Sequence, residues 1–123
     1  MSINRKEELV NELFENVYRI NLVEAVHVRP RATVQWKNLQ KEKDELLLEL
    51  KEMCDESDIN RGLEIINSLI TNIASIKKIK RSYKRYKRTN AWKNLQKERD
   101  ELLLEIETLY EICLHMYWSW LIW

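Results

Sequence analysis

Apolar side chains recur along residues 3–23 at steps of three and four. At 100° per residue Val10, Leu13, Phe14, Val17 and Ile20 share one side of a helix, with polar side chains opposite. The same rhythm returns over residues 59–79, where Ile66, Leu69, Ile70, Ile73 and Ile76 make the stripe. Ser2, and Ser57 or Asp58, carry side-chain oxygens that accept from free N–H groups, which predicts these two helix starts. Pro30 has no N–H donor and clashes with the preceding turn, so the first helix is expected to stop by about Val28. No proline stands in the second stretch, and its break is predicted over residues 88–90.

A second pattern follows each of these. Written as heptads from Trp36, the inward positions read Trp36, Leu39, Lys43, Leu46, Leu50 and Met53. From Trp92 they read Trp92, Leu95, Arg99, Leu102, Ile106 and Leu109, continuing through Cys113, Met116, Trp120 and Trp123. The only charge in each seam is Lys43 or Arg99, which either snorkels toward neighbouring carboxylates and helps to set register or simply marks the boundary of an ordinary amphipathic helix. Leu46, Leu47 and Leu48, like Leu102, Leu103 and Leu104, spread apolar surface over roughly 200° of helix. That is wider than a two-stranded seam covers, and it predicts four helices packed together.

These patterns are two copies of one unit. At an offset of 56, residues 1–56 match residues 57–112 at 23 positions, 9 of them before Thr33 and 14 from Thr33 onward. A tandem duplication follows. The expected fold class is all-α, two tandem αα-hairpins forming a four-helix bundle or coiled-coil-like assembly, within one chain or with helices of a second. A single domain is expected over residues 1–123, with repeat units 1–56 and 57–112 and an aromatic extension over 113–123.

Composition agrees with long regular elements: one Gly, one Pro, 33% charged and 45% hydrophobic residues. Cys54 and Cys113 are not equivalent under the offset, and no secretory signal precedes the first helical pattern. A reducing, cytoplasmic setting with packed or idle thiols is the expectation.

Charge changes the picture more. The net charge of +1 hides three blocks: 10 basic and 14 acidic side chains in residues 1–76, 8 and none in 77–88, and 3 and 6 in 89–123. Lys77, Lys78, Lys80, Arg81, Lys84, Arg85, Lys87 and Arg88, with Tyr83 and Tyr86 between them, suit neutralisation of phosphates and stacking on bases. An anionic lipid surface or an acidic protein offers the same chemistry, and cations also suit a helix C-terminus. Residues 113–123 carry no formal charge except the terminal carboxylate, and hold three of the five tryptophans. Tyr117, Trp118, Trp120 and Trp123 are the candidates for contact with a protein partner or a second copy. Folding back as core and lying at a membrane interface are the alternatives; the stretch is too short to span a bilayer. In an up-down-up-down bundle this extension and the basic segment fall at opposite poles.

Catalytic signatures are absent. There is no Gly-rich phosphate loop, no Gly-x-Ser-x-Gly, no His-Glu-x-x-His and no Cys-x-x-Cys. His27 and His115 have no common metal-ligand pattern around them. The expectation is a non-enzymatic helical interaction protein without cofactor or metal. It would act by protein binding or homo-oligomer formation, or alternatively by binding nucleic acid through residues 77–88; peripheral membrane contact is the weaker reading.

Overall fold

The structure, a computed structural model, describes residues 5–112. Its elements are α1 (Arg5–Val26), α2 (Val34–Lys51), α3 (Glu56–Ser82) and α4 (Asn90–Tyr110). Short 3-10 turns, Pro30–Ala32 and Tyr86–Arg88, stand before α2 and α4. There is no strand among the described residues. The architecture is all-α, two tandem αα-hairpins, and the chain divides into two compact units at Arg61 and Gly62.

In the first unit the predicted stripe is the buried one. Val10, Leu13, Phe14, Val17 and Ile20 are all buried, joined by Leu9 and Val23 on α1 and by Leu39 and Leu50 on α2. Burial stabilises by about 1.5–3 kcal/mol for each large apolar side chain, so this stripe rather than helix propensity holds α1 in place. Ile20, Val23 and Leu39 form one cluster, with Trp36 packed against it. At the other end of the hairpin Arg5 holds Glu49 of α2 at 2.6 Å and Glu8 at 2.8 Å. The Glu8 hydrogen bond first, and then that to Glu49, raise the guanidinium pKa. The pair is exposed and contributes little to stability.

The second unit repeats the plan with Ile66, Leu69, Ile70, Ile73 and Ile76 buried on α3. On α4 the buried residues are Arg99, Leu103, Ile106 and Tyr110. This corrects the heptad reading. The expected Leu102 and Leu109 are half-buried, so the inward face is turned toward Leu103 and Tyr110. On a 200° apolar surface the heptad has no means of choosing between adjacent leucines; the facing helix chooses. Arg99 is buried as the seam predicted, and its Nη2 meets Asp100 at 3.2 Å.

The first helix stops at Val26, as Pro30 led one to expect. Helix ends differ from expectation in four places. The first hairpin's second helix stops at Lys51, short of Met53, which is 41% exposed. The third helix begins at Glu56, so Asp55 precedes it and Ser57 and Asp58 lie in its first turn. The Asp55 carbonyl accepts from Ile59 N at 3.1 Å. The same helix ends at Ser82, well before residues 88–90. Finally, α4 ends at Tyr110: Glu111 turns left-handed (φ 55°, ψ 48°) and Ile112 N donates to Glu107 O at 3.0 Å. The seam does not run on as unbroken helix into the extension, and its Cys113, Met116, Trp120 and Trp123 lie outside the described residues.

Two contacts that no periodicity announces tie the helices, one in both hairpins and one in the second alone. Asn16 and its equivalent Asn72 are buried, and each donates Nδ2 to the facing helix, to Leu39 O and Leu95 O, at 2.9 Å in both cases. A polar group buried on the same rung of each unit favours one register, since sliding the helices would strand it. The other contact is Gly62 with Tyr110. The only glycine lies inside α3, with a helical backbone, and the Tyr110 ring occupies the space where a Cβ would stand, 2.7 Å from Cζ. The equivalent pair in the first unit is Lys6 with Cys54, a longer side chain opposite a smaller one.

Candidate functional site

The basic segment is divided between two elements. Lys77, Lys78, Lys80 and Arg81 belong to the last turns of α3, whereas Tyr83, Lys84 and Arg85 lead into the 3-10 turn formed by Tyr86, Lys87 and Arg88. The chain reverses here because Thr89 joins turn to helix. Its hydroxyl donates to Tyr86 O at 2.7 Å and accepts from Trp92 N at 3.1 Å, capping α4. Thr33 does the same in the first unit, with 2.6 Å to Pro30 O and 3.1 Å from Trp36 N. Thr33 and Thr89 share one backbone conformation (φ −79°, ψ 145° and φ −78°, ψ 145°). Val26 and Ser82, which end the preceding helices, are equivalent residues. Proline is therefore not needed for this connector, because the second unit makes it with Tyr86 in that place.

One scaffold thus carries two different surfaces. In the second unit Lys77, Lys78, Arg81, Lys84, Arg85, Lys87 and Arg88 are exposed, and Lys80 is half-buried with Nζ 5.8 Å from the Tyr86 ring centroid. Among the described residues Lys78, Arg81, Lys84, Arg85, Lys87 and Arg88 make no ion pair. The tyrosines are not alike. Tyr83 is 56% exposed, while Tyr86 is half-buried, its ring 6.0 Å from that of Trp92 at 54°. Tyr83 has an open face to offer; Tyr86 is engaged in holding the turn.

In the first unit the corresponding residues 21–32 carry only Arg29, Arg31 and Glu24 as charges. Arg31 lies 5.9 Å from the Trp36 ring centroid, and Trp36 Nε1 donates to Glu24 Oε1 at 3.1 Å. Around them Leu22, Val26, Val28 and Val34 are exposed, Val28 almost completely at 99%. Their equivalents are Lys78, Ser82, Lys84 and Asn90. Sequence reasoning missed this apolar end, although the replacement of valine and leucine by lysine under the offset was there to be seen.

Other candidate chemistry is dispersed. His27 is exposed, and no group of three His, Cys, Asp or Glu side chains suited to a metal occurs among the described residues. Cys54 is a free thiol whose burial pushes its pKa up, which disfavours the nucleophilic thiolate. Tyr117, Trp118, Trp120, Trp123, His115 and Cys113 lie outside the described residues. No helix among the described residues is long and apolar enough to cross a membrane. No family model matches the chain, and no curated protein and no solved structure matches it.

Proposed function

We propose that this chain is a non-catalytic helical interaction protein, and that the second connector binds the phosphate backbone of nucleic acid. One observation carries the reading: two connectors of closely similar backbone conformation differ in net charge, with eight cations and no acid over residues 77–88 against Arg29, Arg31 and Glu24 over residues 21–32. The first connector closes α1 with no basic residue in its last turn. Cations at the end of α3 are therefore not required to terminate a helix there, and the macrodipole alone does not account for them. Eight cations within 12 residues, without an acid among them, match the repeating charge of a nucleic-acid backbone, and Tyr83 adds a ring for stacking.

The test is anisotropy of labelled single- and double-stranded oligonucleotides across a salt series. With about six cations engaged, affinity falls on the order of 10³-fold between roughly 50 and 200 mM salt. Changing Lys84, Arg85, Lys87 and Arg88 together to Ser lowers the slope of log affinity against log salt by about half. Binding that ignores salt, or ignores the quadruple variant, would sink the reading.

A second reading, docking of a protein partner, is favoured by Leu22, Val26 and Val28 at the other connector. Giving these three positions the residues of the second unit, Lys, Ser and Lys, removes the apolar surface and keeps the fold. Retention of a partner by the variant would argue against that surface. Self-association through Tyr117, Trp118, Trp120 and Trp123 is a further form of this reading, checked by sedimentation of a chain with all three tryptophans changed to Ser.

A further inference from the structure

Duplicated halves have had the same time to diverge, so positions exposed in both should differ freely unless something outside the fold holds them. On α1 and α3, five equivalent positions are exposed in both units, and only Arg5 with Arg61 is identical. On α2 and α4, nine are exposed in both and seven are identical: Lys37, Asn38, Lys41, Glu42, Asp44, Glu45 and Leu48, with their equivalents 56 residues on. The buried Leu39 and the half-buried Trp36, Leu46 and Leu47 are identical in α4 as well, whereas the interior of α1 and α3 is less constant. Leu9, Val10, Phe14 and Val17 are all replaced by isoleucine in the second unit. Exposed substitutions ordinarily change stability by no more than about 0.5 kcal/mol, so folding does not account for the identity.

The preserved residues form a shaped surface. Trp92, Lys93, Lys97, Asp100, Glu101 and Leu104 line one open groove along α4, about 18 Å long at 1.5 Å per residue. Every one of them is identical in α2. The stripe is cationic toward its N-terminal half and anionic toward its C-terminal half. Leu104 and Leu48, at its far end, are each 66% exposed.

We propose that this stripe is a self-association surface, and that its occupant is the same stripe on a second copy of the chain, running antiparallel. A two-fold axis between Lys97 and Asp100 lays Lys97 against Asp100 and Glu101 of the second copy and brings Trp92 over its Leu104. A parallel pairing sets lysine against lysine. Nucleic acid and anionic lipid suit half of the stripe and are repelled by the other half, whereas the antiparallel copy matches all of it. One stripe is small beside the roughly 800 Å² per partner of a stable interface, and each chain carries two. Association is accordingly reversible, in a range of about 10 µM to 1 mM.

Sedimentation of the full chain over that range tests it. The native chain moves from 15.0 kDa to heavier species as concentration rises. Two charge-reversed variants follow, one with Lys37, Lys41, Lys93 and Lys97 changed to Glu, the other with Asp44, Glu45, Asp100 and Glu101 changed to Lys. Each alone stays monomeric through like-charge repulsion, and an equimolar mixture regains the heavier species. A native chain that stays monomeric throughout, variants that still associate, or a mixture that does not, overturns the proposal. Should either variant lose its helical circular dichroism, Leu48→Gln with Leu104→Gln decides, being expected to weaken association about tenfold; unchanged association refutes it.

Discussion

Gly62→Ala sets two effects of opposite sign against each other. Glycine inside a helix is less favourable than alanine by about 0.8–1 kcal/mol, so propensity alone makes the substitution stabilising. The space for the new methyl group is already filled: Tyr110 Cζ and Cε2 would lie 2.7 and 2.9 Å from it, with the hydroxyl closer still. Overpacking of this kind costs roughly 1–3 kcal/mol, and because Tyr110 is itself buried its ring has little room to retreat. The net expectation is destabilisation by about 1–2 kcal/mol. The first unit suggests the control, since it sets Cys54 where the second has Tyr110. Tyr110→Cys costs about 3–5 kcal/mol through the cavity it leaves, and in that background Gly62→Ala becomes stabilising by about 1 kcal/mol. Urea unfolding of the four species, followed by helical circular dichroism, gives a coupling of about 2–3 kcal/mol. A Gly62→Ala chain more stable than the native one, or a coupling below about 0.5 kcal/mol, would show that Tyr110 does not require the glycine.

Other expectations rest on single contacts. Thr33→Ala and Thr89→Ala each cost about 1–2 kcal/mol in urea unfolding and by similar amounts, because both hydroxyls make the same two hydrogen bonds. Serine in their place keeps most of that. Asn72→Ala costs about 1 kcal/mol more than Asn16→Ala, since Asn72 also donates to Glu98 Oε1 at 3.1 Å; Glu98→Gln brings the two closer together. Glu111→Gly stabilises by about 0.5–1 kcal/mol, read as a raised urea midpoint, because glycine adopts φ 55° without the penalty of a side chain.

The candidate site was legible in composition and not in shape. Eight cations in a row mark residues 77–88 whatever the fold, but the sequence did not separate Tyr83 from Tyr86. Only the packing of Tyr86 against Trp92 and beneath Lys80 leaves Tyr83 as the open ring. The exposed valines of the other connector were hidden for a related reason: an apolar residue near a predicted helix end reads as core until the neighbouring element is in place.

By itself the sequence determined that there are four helices, which face of α1 and α3 turns inward, and that the halves are copies. Those properties follow from local geometry, because 100° per residue assigns every side chain a direction before any tertiary contact exists. Tertiary structure decided the rest. It selected Leu103 and Tyr110 over Leu102 and Leu109, set the buried asparagines against the facing carbonyls, and ended α3 at Ser82 without a proline. Each of these is a choice between neighbouring positions that cost almost the same in an isolated helix. They separate only when a second surface, already carrying its own side chains, fills some of the available space and leaves the remainder empty.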